Sequence, residues 1–273
     1  MYDLTIAYRI YPKISKVPAI YPDNKFKMSE ICLKSFLNGL GNLNVKIFII
    51  FDGCPDEYRD LFTNELSGFD YEFINVDGIG NGNTFKLQLD LLSKADSNFV
   101  YFAEDDYFYL DNSILDLFDF AKNNNVDFAT AYDHLDHYNH KLHKESKLKT
   151  IKYKNKTYTK RLTTTMTFLA NKKSLIECYD IFETYSRNNW DNSMWLAITS
   201  SKLINPFEFL RLAFKDIQML KMYVKAYIYT PKYLFSNKKY SLWIPNLGTA
   251  THLDNKFLSP GVDWEKEFSK YSI

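Results

Sequence analysis

Short apolar runs alternate with amphipathic stretches through the first hundred residues. Leu4 to Ile10 (LTIAYRI) predicts a strand, and Val45 to Phe51 (VKIFIIF) a strand of the buried type. Between them, Ser29 to Asn38 has helical spacing, with Ser29 as its cap and Gly39 closing it. Pro55 to Ser67 predicts a helix that ends at Gly68. Tyr71 to Val76 is a third strand, followed by the glycine-rich DGIGNGN. Thr84 to Ala95 then places Phe85, Leu89 and Leu92 on one helical face, and Asn98 to Ala103 is a fourth strand. This β-α-β-α-β-α-β order predicts an α/β fold with a Rossmann-like, mostly parallel central sheet flanked by helices.

Beyond Asp111 the pattern loosens. It predicts a helix over Ser113 to Lys122, a strand over Val126 to Tyr132 and a hairpin over Leu148 to Lys160. A strand over Thr163 to Ala170 follows, then helices over Lys172 to Tyr185 and Ser193 to Ser200. Phe207 to Tyr227 has the spacing of a long amphipathic helix, with Leu210, Phe214, Ile217, Leu220 and Val224 apolar and Arg211, Lys215, Lys221 and Lys225 among them. No repeat or linker interrupts the chain, so residues 1–273 are expected to form one domain. Its halves are 1–110 and a smaller acceptor-side part, 111–273.

Composition narrows the function classes. The 273 residues are 46% hydrophobic and 25% charged, with a formal net charge of +1, which lacks the basic excess of a nucleic-acid binder. Cys32, Cys54 and Cys178 have no paired spacing, which argues against a disulfide framework or zinc ribbon and fits a reducing compartment. The first twelve residues do not have the pattern of a signal peptide, and no apolar run approaches a membrane span. A cytoplasmic protein is expected, at most peripheral to a membrane.

Candidate chemistry gathers where strands end, the edge at which such sheets bind ligands. FAEDDYFYL carries Glu104, Asp105 and Asp106, and the carboxylate-x-carboxylate spacing of Glu104 and Asp106 suits a hard divalent cation such as Mg2+ or Mn2+. Asp52 in FDGCPDE can accept hydrogen bonds from a ribose or a base, or make an Asx turn before Gly53. DGIGNGNTFKLQ allows close backbone approach to an anion at a helix start, yet it is neither GxGxxG nor a P-loop. There Asn83 is either a ligand or a helix cap, and Lys86 reaches either a phosphate or solvent.

Together, the Asp-Gly loop (Phe51 to Asp56), the glycine turn opening a helix (Gly80 to Gln88) and the acidic motif (Phe102 to Asp106) resemble family 2 glycosyltransferases of the GT-A fold over about the first 110 residues. TTTMTFLA, NWDNSMW and ATHLDNKFLSPGVDW resemble acceptor-side elements of a bacterial and viral branch. The resemblance implies a nucleotide-diphosphate-sugar donor, of the UDP type, with Asp52 at base or ribose. Arg9, Asn83, Lys86 and Asp105 complete the donor-binding set. Glu104, Asp106 and the C-terminal His252 would hold the metal, with Mn2+ favoured over Mg2+ by the imidazole. Asp191 takes the place of the general base of an inverting transfer, although Asp at a helix start is also an ordinary N-cap. The acceptor implied is a glycan, free, lipid-linked or protein-linked. The motif departs from the family in opening on Glu104 rather than Asp.

Other readings compete with this one: a degenerate glycan- or nucleotide-binding module, and a sugar-phosphate nucleotidyltransferase, which the run AYRIYPKISKVP after the first strand disfavours. His134, His137, His140 and His143 recur every three residues, and are expected to lie in a polar loop rather than in a second metal centre.

Overall fold

The computed structural model describes residues 1–14, 17–144, 149–199, 216–234 and 238–271. Nine strands form one sheet in the order β3-β2-β1-β4-β9-β6-β10-β8-β7. These are β1 (Leu4–Ile10), β2 (Val45–Asp52), β3 (Asp70–Val76), β4 (Phe99–Glu104), β6 (Phe128–Ala129), β7 (Thr150–Tyr153), β8 (Lys156–Arg161), β9 (Phe168–Asn171) and β10 (Leu242–Pro245). A separate two-stranded ribbon pairs β5 (Tyr107–Tyr109) with β11 (Ala250–His252). The first four sheet strands are mutually parallel, joined through helices α1 (Lys25–Leu40), α2 (Asp56–Glu65) and α3 (Gly80–Ser93). Antiparallel pairing enters with β9 and with the predicted hairpin β7-β8. The α/β layering expected from the sequence is what the chain forms.

Every residue of β1 is buried, because helices cover both sheet faces. The period of two sorts the side chains between two cores. Leu4, Ile6, Tyr8 and Ile10 face one, with Phe36 of α1 and Phe62 of α2, whereas Ala7 faces the other, with Phe85 and Leu89 of α3. The same parity puts Tyr101 on the first face, and Ile50 and Phe102 on the second. It therefore carries Arg9, Asp52 and Glu104 to the α3 side as the strands end.

The remaining helices are α4 (Ser113–Asn123), two single turns α5 (Asp136–Asn139) and α6 (Lys141–Lys144), α7 (Lys172–Glu177), α8 (Tyr179–Glu183), α9 (Asp191–Thr199), α10 (Ile217–Tyr229), α11 (Pro231–Leu234) and α12 (Trp264–Ser269). Several expected boundaries move. Helix α1 starts four residues earlier than Ser29: Asn24 is its cap, taking the Lys27 N–H at 2.9 Å, and Ser29 is buried inside it. Helix α3 begins within the glycine run, at Gly80. The strand expected over Thr163 to Ala170 forms only from Phe168, because upstream groups serve other elements: the Thr163 carbonyl meets His137 and the Thr165 carbonyl accepts from Trp195. The strand expected over Val126 to Tyr132 shrinks to two residues, and the helix over Lys172 to Tyr185 breaks at Cys178. Of the long helix expected over Phe207 to Tyr227, Arg211 and Lys215 lie outside the described residues. Among the described residues no helix is long and apolar enough to cross a membrane.

Candidate functional site

The acidic triplet does not act as one cluster, because the chain turns between sheet and ribbon and sends each carboxylate elsewhere. Glu104 stands opposite Arg9 in the β1-β4 register, on the same face. Its Oε1 accepts from Arg9 Nη2 at 2.5 Å and its Oε2 from Thr167 Oγ1 at 2.8 Å. Asp105 turns to the opposite face and is buried against α1, with Lys25 Nζ at 2.7 Å and Ser29 Oγ at 3.1 Å. Asp106 begins the ribbon turn. His252 is the register partner of Tyr107, so β5-β11 pairing brings its Nε2 to 3.1 Å from Asp106 Oδ2. The other oxygen, Asp106 Oδ1, is buried and meets no donor among the described residues. Burial pushes the Asp106 carboxyl up, but His252, Lys25 and Arg9 outweigh it and hold the group well below the usual carboxylate range.

Asp52 lines the cleft expected to take a donor, and it makes no Asx turn with Gly53. Its Oδ1 and Oδ2 accept from the backbone N–H of Ile79 (2.8 Å) and Gly80 (3.0 Å), so this buried carboxylate is itself the anion seated at the α3 N-terminus. Gly78 and Gly80, at φ +62 and +80, let the loop turn to present those groups. Gly82 serves packing instead: a Cβ there would stand 3.1 Å from Ser186 Cα. Arg9 ties this helix start to the acidic motif, since Nη1 donates to the Asn81 carbonyl (2.7 Å) and Thr84 Oγ1 (3.2 Å).

These residues border a cleft of about 400 Å3 at the C-terminal ends of the parallel strands. Among the described residues, three cations (Arg9, Lys13, Lys25) and four carboxylates (Asp52, Glu104, Asp105, Asp106) line it. Tyr11, at the end of β1, is 43% exposed on the rim. The second half closes in through Tyr185, whose hydroxyl accepts from Asn81 Nδ2 at 2.9 Å. Burial raises this phenol, Arg9 lowers it, and Glu104 and Asp191 raise it again, so Asp191 lies within the electrostatic reach of the cleft wall. Asp191 is the first residue of α9, while the Trp190 carbonyl accepts the first helical bond, from Met194 N. Asp191 is therefore one position past the cap.

Two expected donor-site residues stand away from the lining. Lys86 pairs with Asp90 (2.9 Å) and Glu183 (3.6 Å), and Asn83 is neither cap nor lining, its Nδ2 donating to the Ile79 carbonyl. Of the histidine ladder, His137 lies in α5 and His143 in α6, while His134 precedes α5 and His140 joins the two turns. His137 and His143 are buried, and His137 bridges Asp133 Oδ1 and the Thr163 carbonyl at 3.0 Å each. Among the described residues no three His, Cys, Asp or Glu side chains are arranged as a metal centre. Glu104, expected as a ligand, has both oxygens engaged.

No protein-family model and no curated protein matches the chain. Solved structures with similar coordinates include residues 1–349 of S. aureus TarS, in complex with UDP-GlcNAc (12% identity, 70% of this chain and 54% of that one, TM-score 0.46) and with UDP (14%, 71% and 54%, 0.47). A 4-diphosphocytidyl-2C-methyl-D-erythritol synthase from Anaerococcus prevotii overlaps at 13% identity, 97% of this chain and 94% of that one, with a TM-score of 0.40. The chain thus spans about half the length of the TarS structures, at 54%.

Sequence reasoning overlooked four residues that shape the cleft: Lys25, Ser29 in its buried role, Thr167 and Tyr185. Lys25 fell outside the expected helix, and only the strand parity that pairs Arg9 with Glu104 was available as a signal.

Proposed function

We propose that the protein is a glycosyltransferase that moves a sugar from a nucleoside-diphosphate sugar to an acceptor hydroxyl with inversion. The observation that carries this reading is the end of the cleft, where Asp106, beside His252, keeps a buried oxygen that meets no donor among the described residues. A carboxylate and an imidazole are a ligand pair that a divalent ion can complete with phosphate oxygens and water. The four carboxylates among the described lining residues support the same point, since a diphosphate entering beside them needs a companion cation. Asp106 and His252 would hold that ion, with Mn2+ favoured. Once bound, it would neutralise charge growing on the departing nucleoside diphosphate.

The chain's own residues do the rest. Asp52 fixes the loop before α3, and Arg9 fixes Glu104, so the floor under the donor is rigid. Lys13 presents an ammonium group to phosphate oxygens, while Lys25 is held by Asp105 beneath it. Asp191 takes the proton of the acceptor hydroxyl as its oxygen bonds to the anomeric carbon and the bond to the diphosphate oxygen breaks. A UDP-type donor follows from the sequence resemblance, as does a glycan-type acceptor.

Calorimetric titration of UDP-sugars with and without Mn2+ tests the donor site. Binding is expected to need the ion and to lose that dependence in Asp106→Ala; unchanged Mn2+-dependent binding in this variant would refute the assignment. Asp191→Asn is expected to keep donor binding and to lower turnover by roughly 100- to 10,000-fold, the usual contribution of a general base. Turnover at the wild-type rate would remove Asp191 from that role.

A further inference from the structure

A second cavity, of about 160 Å3, opens beside the first turn of α9 and shares no lining residue with the cleft. On a comparable measure, a cavity of about 150 Å3 accommodates one six-membered ring. Its walls are chemically divided. Trp190, Met219 and Met222 supply apolar surface, while Asn192, Gln218 and His140 supply hydrogen-bonding groups. Among the described lining residues Asp136 is the one carboxylate and none is Lys or Arg.

Trp190 is 39% exposed, unusual for so large an apolar side chain, yet its backbone is fixed. Its N–H donates to Asn189 Oδ1 (2.9 Å), its carbonyl accepts from Met194 N (3.0 Å), and Asn189 is buried against Thr184 Oγ1 (2.9 Å). The Lys225 ammonium stands 5.0 Å from the indole centroid and donates to the Asn188 carbonyl, which braces the ring further. An exposed aromatic held this firmly is a preformed contact surface. His143 also lines the cavity, with its pKa pushed down to about 3 by burial and then by His137 and Arg161, so it is neutral at physiological pH.

The ligand class follows from these walls. The described lining residues offer no cation to a phosphate or nucleotide, and the Lys225 ammonium is taken up by the indole and the Asn188 carbonyl. A purely apolar ligand would leave Asn192 and Gln218 to be desolvated without partners. A ring with C–H groups on its face and hydroxyls on its edge satisfies both walls. We propose that this cavity is a binding subsite for one neutral pyranose ring, with Trp190 as the stacking face and Asn192, Gln218 and His140 as partners of the hydroxyls. Trp190 and Asn192 flank Asp191, so on the transferase reading the bound ring belongs to the acceptor; the binding itself does not depend on that reading.

The test uses the full chain and a set of methyl glycosides of glucose, galactose, mannose and N-acetylglucosamine, read by saturation-transfer NMR and by Trp fluorescence. At least one glycoside is expected to bind, and Trp190→Ala is expected to weaken it about tenfold or more, the usual cost of removing an aromatic anchor. Trp190→Phe should retain most of the binding, and Asn192→Ala should weaken it with the indole in place. Calorimetry of UDP with Mn2+ is run on the same samples and should not change in Trp190→Ala. Failure of every glycoside to bind, or binding indifferent to both Trp190→Ala and Asn192→Ala, would overturn the subsite. Glycoside binding without any UDP binding would sink the donor-site reading and leave this one standing.

Discussion

Lys25→Met should destabilise the protein severely, although Lys25 touches no expected catalytic atom. Its ammonium lies 2.7 Å from Asp105, with only 8% and 9% of the two side chains exposed. Burial pulls Lys25 down, but Asp105 and Asp106 raise it above the ordinary lysine value, so it stays charged. Burial pushes the Asp105 carboxyl up while Lys25 opposes, which shows how much that carboxylate depends on its partner. Removing one member of a buried pair leaves the other charge stranded, at a cost of about 3–5 kcal/mol. At about 2–4 °C per kcal/mol for a chain of this size, the thermal midpoint should fall by roughly 6–20 °C. Asp105→Asn in the same chain removes the stranded charge and keeps the contact with Ser29, so the double variant should recover much of the loss. Urea and thermal denaturation of the four proteins in the cycle, followed by circular dichroism, give the coupling. A loss below about 1 kcal/mol in Lys25→Met, or a double variant that loses the sum of the singles, would refute the argument.

Two further outcomes follow from the packing and the titration. Gly82→Ala brings a Cβ to 3.1 Å from Ser186 Cα and 3.3 Å from the Tyr185 carbonyl, both backbone atoms, so it should cost about 1–3 kcal/mol by urea unfolding; an unchanged midpoint would mean that α3 is not braced there. His143 has its pKa lowered from 6.5 to about 3, so between those values the unfolded chain binds a proton that the folded chain refuses. Its contribution is therefore present above pH 6.5 and is lost on acidification, at about 1.4 kcal/mol per pH unit. The difference in stability between wild type and His143→Gln should narrow by about 1 kcal/mol from pH 6.5 to 5.5, where the unfolded imidazole goes from half to nearly full protonation, and a difference independent of pH would contradict it.

The sheet of the first half was legible because its strands are long and its connections regular. The expected strands stop at Phe51 and Ala103; each runs one residue further, and the same parity puts Arg9, Asp52 and Glu104 on one face, since hydrophobic partners fix which side is which. The second half was less legible because its backbone groups pair with non-neighbours. The run from Thr163 to Thr167 looks like a strand by composition, yet the His137, Trp195 and Glu104 side chains claim its carbonyls and hydroxyls before a ladder can form. Local propensity contains no record of such long-range partners. Lys25 was missed for a related reason. Asn24 rather than Ser29 caps α1, and this earlier start places Lys25 in the helix, against Asp105 of the acidic loop.

The division of labour among the three acids then has a physical cause. Adjacent carboxylates facing one point would repel one another unless an ion was always present, and the fold would depend on that ion. Here Glu104 is balanced by Arg9 and Asp105 by Lys25, so two of the three charges are compensated from within the chain. The two ion pairs also fix the backbone on either side of the Glu104–Asp105 peptide, one from the α3 face and one from the α1 face. Asp106 is left at the cleft with His252 as its partner and one oxygen in reserve. On this argument the expected Glu-x-Asp pair is an anchor followed by a working group, and only the second member should control metal-dependent binding directly. Glu104→Gln keeps Thr167 in reach but weakens the bond to Arg9, so it should act through the position of α3 and the cleft floor rather than through the ion.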